Sequence, residues 1–143
     1  MSRDHLTGLP DRGWLEARLA QALREPAPFW LLFRDLDDLG AINHRLGHRA
    51  GDAVLAAVGQ RLAGWGDLGR WGGDEFLALV PEAPEARAAD LLERLRGPVL
   101  FEGALLQPTA TLGLAPRQPD DTRETLLDRA DTALRHAKRE TRQ

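Results

Sequence analysis

The chain has 143 residues, 43% apolar and 29% charged, with a formal net charge of −3 and no cysteine. Disulfides and thiolate metal sites are excluded, the four histidines show no ligand spacing, and a mildly acidic chain without a basic block is not built to track nucleic-acid phosphates. With no signal peptide and no long apolar stretch, the length suits a single domain over 1–143, expected to be soluble and cytoplasmic, without membrane contact.

In chain order, Trp14, Leu15, Leu19 and Leu23 recur at helical spacing, with Pro10 and Asp11 at the entrance and Pro26 beyond the exit. Phe29, Trp30, Leu31, Leu32 and Phe33 form a run too short to span a membrane and suited to a buried strand, broken by Arg34-Asp35-Leu36-Asp37-Asp38. A turn-rich segment with Gly40 and Gly47 leads to Val54, Leu55, Val58 and Leu62, one face of a second helix that Gly64 and Gly66 end. Leu68 to Trp71 and Phe76 to Val80 read as strands around Gly72-Gly73-Asp74-Glu75, with Pro81 as the stop. The paired glycines predict a two-residue turn with φ > 0 at both positions, placing Asp74 and Glu75 at the start of the return strand with side chains on opposite faces.

Pro84 to Arg96 predicts a third helix, with Ala86, Ala89, Leu91, Leu92 and Leu95 apolar and Gly97-Pro98 as its close. Val99 to Phe101 and Leu106 to Leu114 read as strands. Asp120 and Asp121 offer N-caps for a last helix carrying Leu126, Leu127, Ala130, Ala133, Leu134 and Ala137 on one face. The order is α-β-α-β-β-α-β-β-α, and the hairpin rules out an all-parallel sheet, leaving an α/β (α+β) fold with helices on one or both faces of the sheet.

Two acidic clusters carry the chemistry. If the strand ending at Phe33 lies beside the hairpin, Asp35 and Asp74 meet at its carboxyl end, and carboxylates with backbone oxygens are hard ligands suited to Mg²⁺. The plainer alternative is a pair of solvated turn carboxylates. Asp37 shares the face of Asp35, where a supporting hydrogen bond or ion pair competes with metal contact.

Across nearly its whole length the chain resembles the GGDEF domains, most of which are diguanylate cyclases that condense two GTP into cyclic di-GMP. The resemblance runs through Asp4-His5-Leu6-Thr7-Gly8-Leu9-Pro10-Asp11-Arg12, then Asp35-Leu36-Asp37, Ile42-Asn43, Gly47-His48 and Gly51-Asp52. The signature Arg70-Trp71-Gly72-Gly73-Asp74-Glu75-Phe76 is intact, and Thr109-Ala110-Thr111-Leu112-Gly113 and Ala130-Asp131-Thr132-Ala133-Leu134 with Ala137-Lys138 complete it. It implies a palm-like nucleotidyl cyclase fold, a β-α-β-β-α-β core with a mixed or antiparallel central sheet flanked by helices. It implies two Mg²⁺ per site, with Mn²⁺ as an alternative, held by Asp35, the Leu36 carbonyl, Asp74 and Glu75, with Asp74 and Glu75 catalytic. Asn43, His48 and Asp52 stand where the family binds the GTP base, and Lys138 and Arg142 match its phosphate contacts. Plainer roles remain for some of these: an N-cap for Asp52, a turn for Asn43, a solvated helix end for Lys138, the only lysine in the chain.

A symmetric product implies a homodimer with one GTP per subunit, to which Arg70 could contribute, although an exposed strand residue is an equal reading. Family members usually follow a sensor segment, so Asp4 standing three residues behind Met1 fits an excised domain or a minimal protein. Four positions that bear on the chemistry depart from the pattern. Leu39 and Gly40 stand where Phe-Lys is usual, removing a cation near the triphosphate; Thr141 replaces a glycine; and Gly64, three residues before Asp67, replaces the arginine of the inhibitory product site, so no product inhibition is expected there. The leading expectation is an active cyclase. The alternative is a catalytically weak GTP-binding regulatory module, and a purely structural dimerisation domain is a third reading.

Overall fold

The computed structural model describes residues 2–37 and 39–141. Its centre is strand β1 (Trp30–Asp37), whose side chains alternate between two apolar layers. Leu31 and Phe33 enter one layer with helix α1 (Arg12–Arg24), while Leu32 and Leu36 enter the other with helices α2 (Leu39–Leu46) and α3 (His48–Leu62). A strand buried on both faces cannot alternate apolar with polar, which is why the run at 29–33 is continuously hydrophobic.

Strands β2 (Asp67–Arg70) and β3 (Glu75–Val80) form the hairpin, and β3 pairs with β1. Helix α4 (Pro84–Leu95) lies on the side of α2 and α3. Strands β4 (Val99–Phe101) and β5 (Ala104–Leu106) make a separate two-stranded sheet, β6 (Thr109–Pro116) flanks β1 on its other edge, and α5 (Arg123–Thr141) joins α1. The four-stranded sheet has the order β2-β3-β1-β6 with every pairing antiparallel. This is the expected β-α-β-β-α-β core with helices on both faces. Close packing of α5 on β6 requires Gly113, where a Cβ would stand 2.4 Å from the Leu134 amide nitrogen.

Several local expectations fail for identifiable reasons. The segment after β1 is helix α2, because Leu39 and Ile42 bury one side against the core and outweigh the cost of Gly40. Strand β1 itself continues through the acidic cluster to Asp37, paired with β3 as far as Asp35 and with β6 as far as Asp37. The run 106–114 is two strands, divided where Pro108 cannot donate to a ladder. The buried side of α4 is Pro84, Ala88, Leu91 and Leu95, whereas Ala86 and Ala89 are exposed and Leu92 is 39% accessible. Thr122, not Asp120 or Asp121, caps α5: its hydroxyl accepts from the Thr125 amide at 3.2 Å, and the Thr125 hydroxyl accepts from the Thr122 amide at 2.9 Å.

The hairpin tip is also built differently. Four residues, Trp71 to Asp74, connect β2 to β3, and neither Gly72 nor Gly73 is left-handed. A Cβ at Gly72 would lie 2.5 Å from Glu75 Oε1 and would make that side chain shift, while nothing stands within 4 Å of a Cβ at Gly73. The two-residue turn with positive φ at both positions occurs elsewhere, at Glu102 (φ 48) and Gly103 (φ 82) between β4 and β5.

Candidate active site

The register of β1 against β3 sets Asp35 directly opposite Glu75, so both carboxylates lie on the α1/α5 face of the sheet. Asp74 belongs to the tip and not to the strand. Its carbonyl accepts from the Leu36 amide at 2.9 Å, and its carboxyl group lies within hydrogen-bonding reach of that of Asp35. The expected meeting of Asp35 with Asp74 therefore occurs, with Glu75 as the cross-strand partner. Asp37, two residues along the same face, accepts from the Thr111 hydroxyl at 2.8 Å and is a braced neighbour.

One cation reaches this cluster from above. Lys138 on α5 donates to Asp35 Oδ2, while Asp35 Oδ1 is buried with no hydrogen-bond partner among the described residues. Burial and the Asp74 carboxyl group together push Asp35 above the usual carboxylate range, despite the pull of Lys138. Glu75 is raised too, by burial first and then by the charges of Asp35, Asp74 and Asp131. Burial alone would lower the Lys138 ammonium, but its bond to Asp35 and the charges of Asp35, Asp37 and Asp74 raise it. Negative charge is thus in excess, as in a site poised for more positive charge than one ammonium supplies.

The donor set is hard oxygen, which suits Mg²⁺ or Mn²⁺. Among the described residues no three His, Asp or Glu side chains form a ready-made cage. That fits a small cation which keeps waters and takes one or two carboxylates plus phosphate oxygens, and the unpartnered Asp35 Oδ1 is a free ligand position.

The tip is locked by a brace that the sequence reading did not identify. Arg70 donates to Asp4 Oδ1 at 3.0 Å and Oδ2 at 3.2 Å, and to the carbonyls of Gly72 at 3.1 Å and Gly73 at 3.2 and 2.8 Å. Its amide donates to the Pro10 carbonyl at 3.0 Å. Asp4 also accepts from the Thr7 amide and hydroxyl, each at 2.8 Å; burial opposes, but these bonds and Arg70 leave its carboxyl below the ordinary value. The opening block of the chain is therefore a clamp on the catalytic-looking turn, and Arg70 is neither free nor fully exposed. Arg12, at the start of α1, stacks 4.2 Å above the Trp71 ring on the same side.

Asn43, His48 and Asp52 are carried by the helices on the other face. Asn43 is in α2, not in a turn; its Oδ1 is buried without a partner among the described residues and presses on Gly51, where a Cβ would lie 1.9 Å away. His48 opens α3, and both it and Asp52 are exposed. Asp52 lies inside α3, whose N-cap is Gly47, so the capping role is excluded. Arg142 lies outside the described residues. Gly40 is exposed in the first turn of α2, and Arg135 pairs with Asp131 at 3.5 Å.

Arg34 was read as part of the acidic break, yet it is 1% exposed, on the α2/α3 face between Leu32 and Leu36. Its Nε and both terminal nitrogens lack hydrogen-bond partners among the described residues, and its guanidinium carbon lies 5.5 Å from the centre of the Phe76 ring. Burial lowers its pKa to about 9, against the opposing pull of Asp37 and Asp35. Alternation along β1 was the signal that could have placed it.

The family model described as the diguanylate cyclase GGDEF domain matches residues 1–143. The chain belongs to the GGDEF family. Diguanylate cyclase TpbB of Pseudomonas aeruginosa strain UCBPP-PA14 is 40% identical over 97% of this chain and 35% of that protein. Diguanylate cyclase DgcP of the same species, strain PAO1, is 36% identical over 95% of this chain and 22% of its own length. This GGDEF chain thus spans about a third or less of these two curated relatives. Among solved structures, diguanylate cyclase SiaD of P. aeruginosa, in complex with its activator SiaC, superposes with a TM-score of 0.90 at 31% identity, over 96% of this chain and 58% of that one. No helix of the described residues is long and apolar enough to cross a membrane.

Proposed function

We propose that this GGDEF domain is a diguanylate cyclase, joining two GTP into cyclic di-GMP with release of two pyrophosphates. The convergence of Asp35, Asp74 and Glu75 under Lys138 carries the reading, because this excess of half-buried negative charge is what a cation-dependent phosphoryl-transfer site requires.

Asp35, the Leu36 carbonyl, Asp74 and Glu75 are the residues to hold two divalent cations, Mg²⁺ or Mn²⁺. Bound there, such ions neutralise charge on the triphosphate and acidify the attacking 3′ hydroxyl. Lys138, now on Asp35, turns its ammonium to a phosphate oxygen as a point charge, and Arg142 assists. Asp74 is the group placed to take the proton from the 3′ oxygen. Asn43 supplies an acceptor to the guanine N1 and N2 donors, Asp52 a second, and His48 borders the base. One subunit holds one GTP, so the symmetric product needs a homodimer around a twofold axis, with an upstream sensor outside this segment setting its formation.

Gly40 favours a second reading, a GTP-binding regulatory module with little turnover, because no side-chain cation stands at the first turn of α2. The two are separated by incubating concentrated protein with GTP and Mg²⁺ and detecting cyclic di-GMP by mass spectrometry beside Asp74→Ala. Product in the wild type alone supports the cyclase. GTP binding without product in either protein supports the module.

A further inference from the structure

Arg34 presents a problem that the site described above does not solve. A guanidinium that is 1% exposed with three nitrogens unpartnered among the described residues is destabilising, and a well-packed apolar residue on this face would serve the fold better. The Phe76 ring offsets only part of that cost. Asp35 and Asp37 attract it through space but bond elsewhere, to Lys138 and Thr111, from the opposite face of the strand.

Its surroundings indicate what completes it. Arg34, between Leu32 and Leu36, faces the side of the sheet covered by the helices that carry Asn43 and Asp52, and Asn43 Oδ1 is the other buried, unpartnered side-chain atom on that side among the described residues. Five donors without an acceptor and one acceptor without a donor are complementary to the edges of guanine, which offers O6 and N7 as acceptors and N1 and N2 as donors. The triphosphate is a poorer match, since the carboxylates and Lys138 that would organise it are on the α1/α5 face.

We propose that Arg34 is a specificity-determining residue whose guanidinium donates to the O6/N7 edge of the guanine that Asn43 reads from the other side. The contact is made by rotation of the side chain toward the α2/α3 junction, because the backbone of Arg34 is paired with Phe76 on one side and Leu112 on the other. This inference rests on the GTP reading given above.

The test is calorimetric titration of the full chain with GTP and with 7-deaza-GTP, which lacks the N7 acceptor, in the wild type, Arg34→Leu and Arg34→Met. The wild type is expected to bind 7-deaza-GTP about 5–20-fold more weakly than GTP, as for loss of half a bidentate arginine contact. The variants are expected to melt no lower than the wild type, to bind GTP about 10–100-fold more weakly, and to bind both nucleotides alike. A wild type indifferent to N7 overturns the proposal, and so does a variant that keeps full GTP affinity or loses the same factor for both ligands. Should neither variant fold, the wild-type comparison decides alone. A wild type that binds no GTP overturns the nucleotide reading itself, a different result.

Discussion

Helix α5 brings a cation to a carboxylate near each of its ends, and the two pairs differ. Asp121 accepts from Arg129 at 2.9 and 2.8 Å, from the Thr125 hydroxyl at 2.8 Å and from the Gln118 amide at 2.7 Å. With the Arg129 bonds as the main cause, its carboxyl group is held far below the ordinary range. Asp35 accepts from Lys138, keeps Oδ1 unpartnered and faces Asp74 and Glu75, so its carboxyl group is raised. A carboxylate whose lone pairs are filled by the protein is a structural fixture. One that is half-buried, crowded by like charge and short of donors has been left for something else to complete.

The largest effect that would separate the two ends is on turnover. Asp35→Asn is expected to lower cyclic di-GMP formation at least about 100-fold, as for loss of a metal-holding carboxylate, while the melting temperature holds or rises. An Asp35→Asn protein with near wild-type turnover would show that the crowded end is not the catalytic one. Lys138→Ala should come next, weakening GTP binding about tenfold in titration, because one charge-assisted contact is lost.

Arg129→Ala tests the other end. It is expected to cost about 1–2 kcal/mol in denaturant unfolding, a figure kept low by the partial exposure of the guanidinium, and to leave GTP affinity unchanged. A larger loss of affinity than of stability would merge the two regions into one functional unit.

The smallest effect is in the pH dependence of the metal-free protein. Asp35 and Glu75 have folded pKa values above their unfolded ones, so the folded state binds more protons in that interval and stability rises as pH falls through those raised values. Asp121 and Asp4 are lowered, so their contribution is full above the unfolded value of 3.8 and is lost as pH falls below it. Melting curves should therefore show a shallow gain and then a fall on acidification, with Glu75→Gln flattening the gain and Asp121→Asn the fall. A gain that survives both Glu75→Gln and Asp35→Asn would locate it elsewhere.

Much of this was legible without coordinates because it is local. The amphipathic face Val54, Leu55, Val58 and Leu62 is buried as its spacing predicts, and Asp11 caps α1 through the Trp14 amide at 3.0 Å. The signature residues also lie together as expected, because a hairpin beside a central strand has few alternatives. The tip departs from the expected two-residue turn because a pair of glycines does not by itself fix the sign of φ, and here neither is left-handed. The turn offered as the plainer role for Asn43 fails because α2 forms through Leu39 and Ile42 finding a core, which local propensity around Gly40 does not reveal.

By itself the amino-acid sequence determined the family, an α+β fold whose sheet is not all parallel, and which acidic residues are the candidates for the chemistry, since motif spacing and hydrophobic period are properties of neighbours along the chain. Only the tertiary structure decided which carboxylates share a face, that Asp4 and Arg70 clamp the tip across 66 positions, and that Arg34 is buried without a hydrogen-bond partner among the described residues. Those depend on strand register and on burial, and both are set by contacts between segments far apart in the chain.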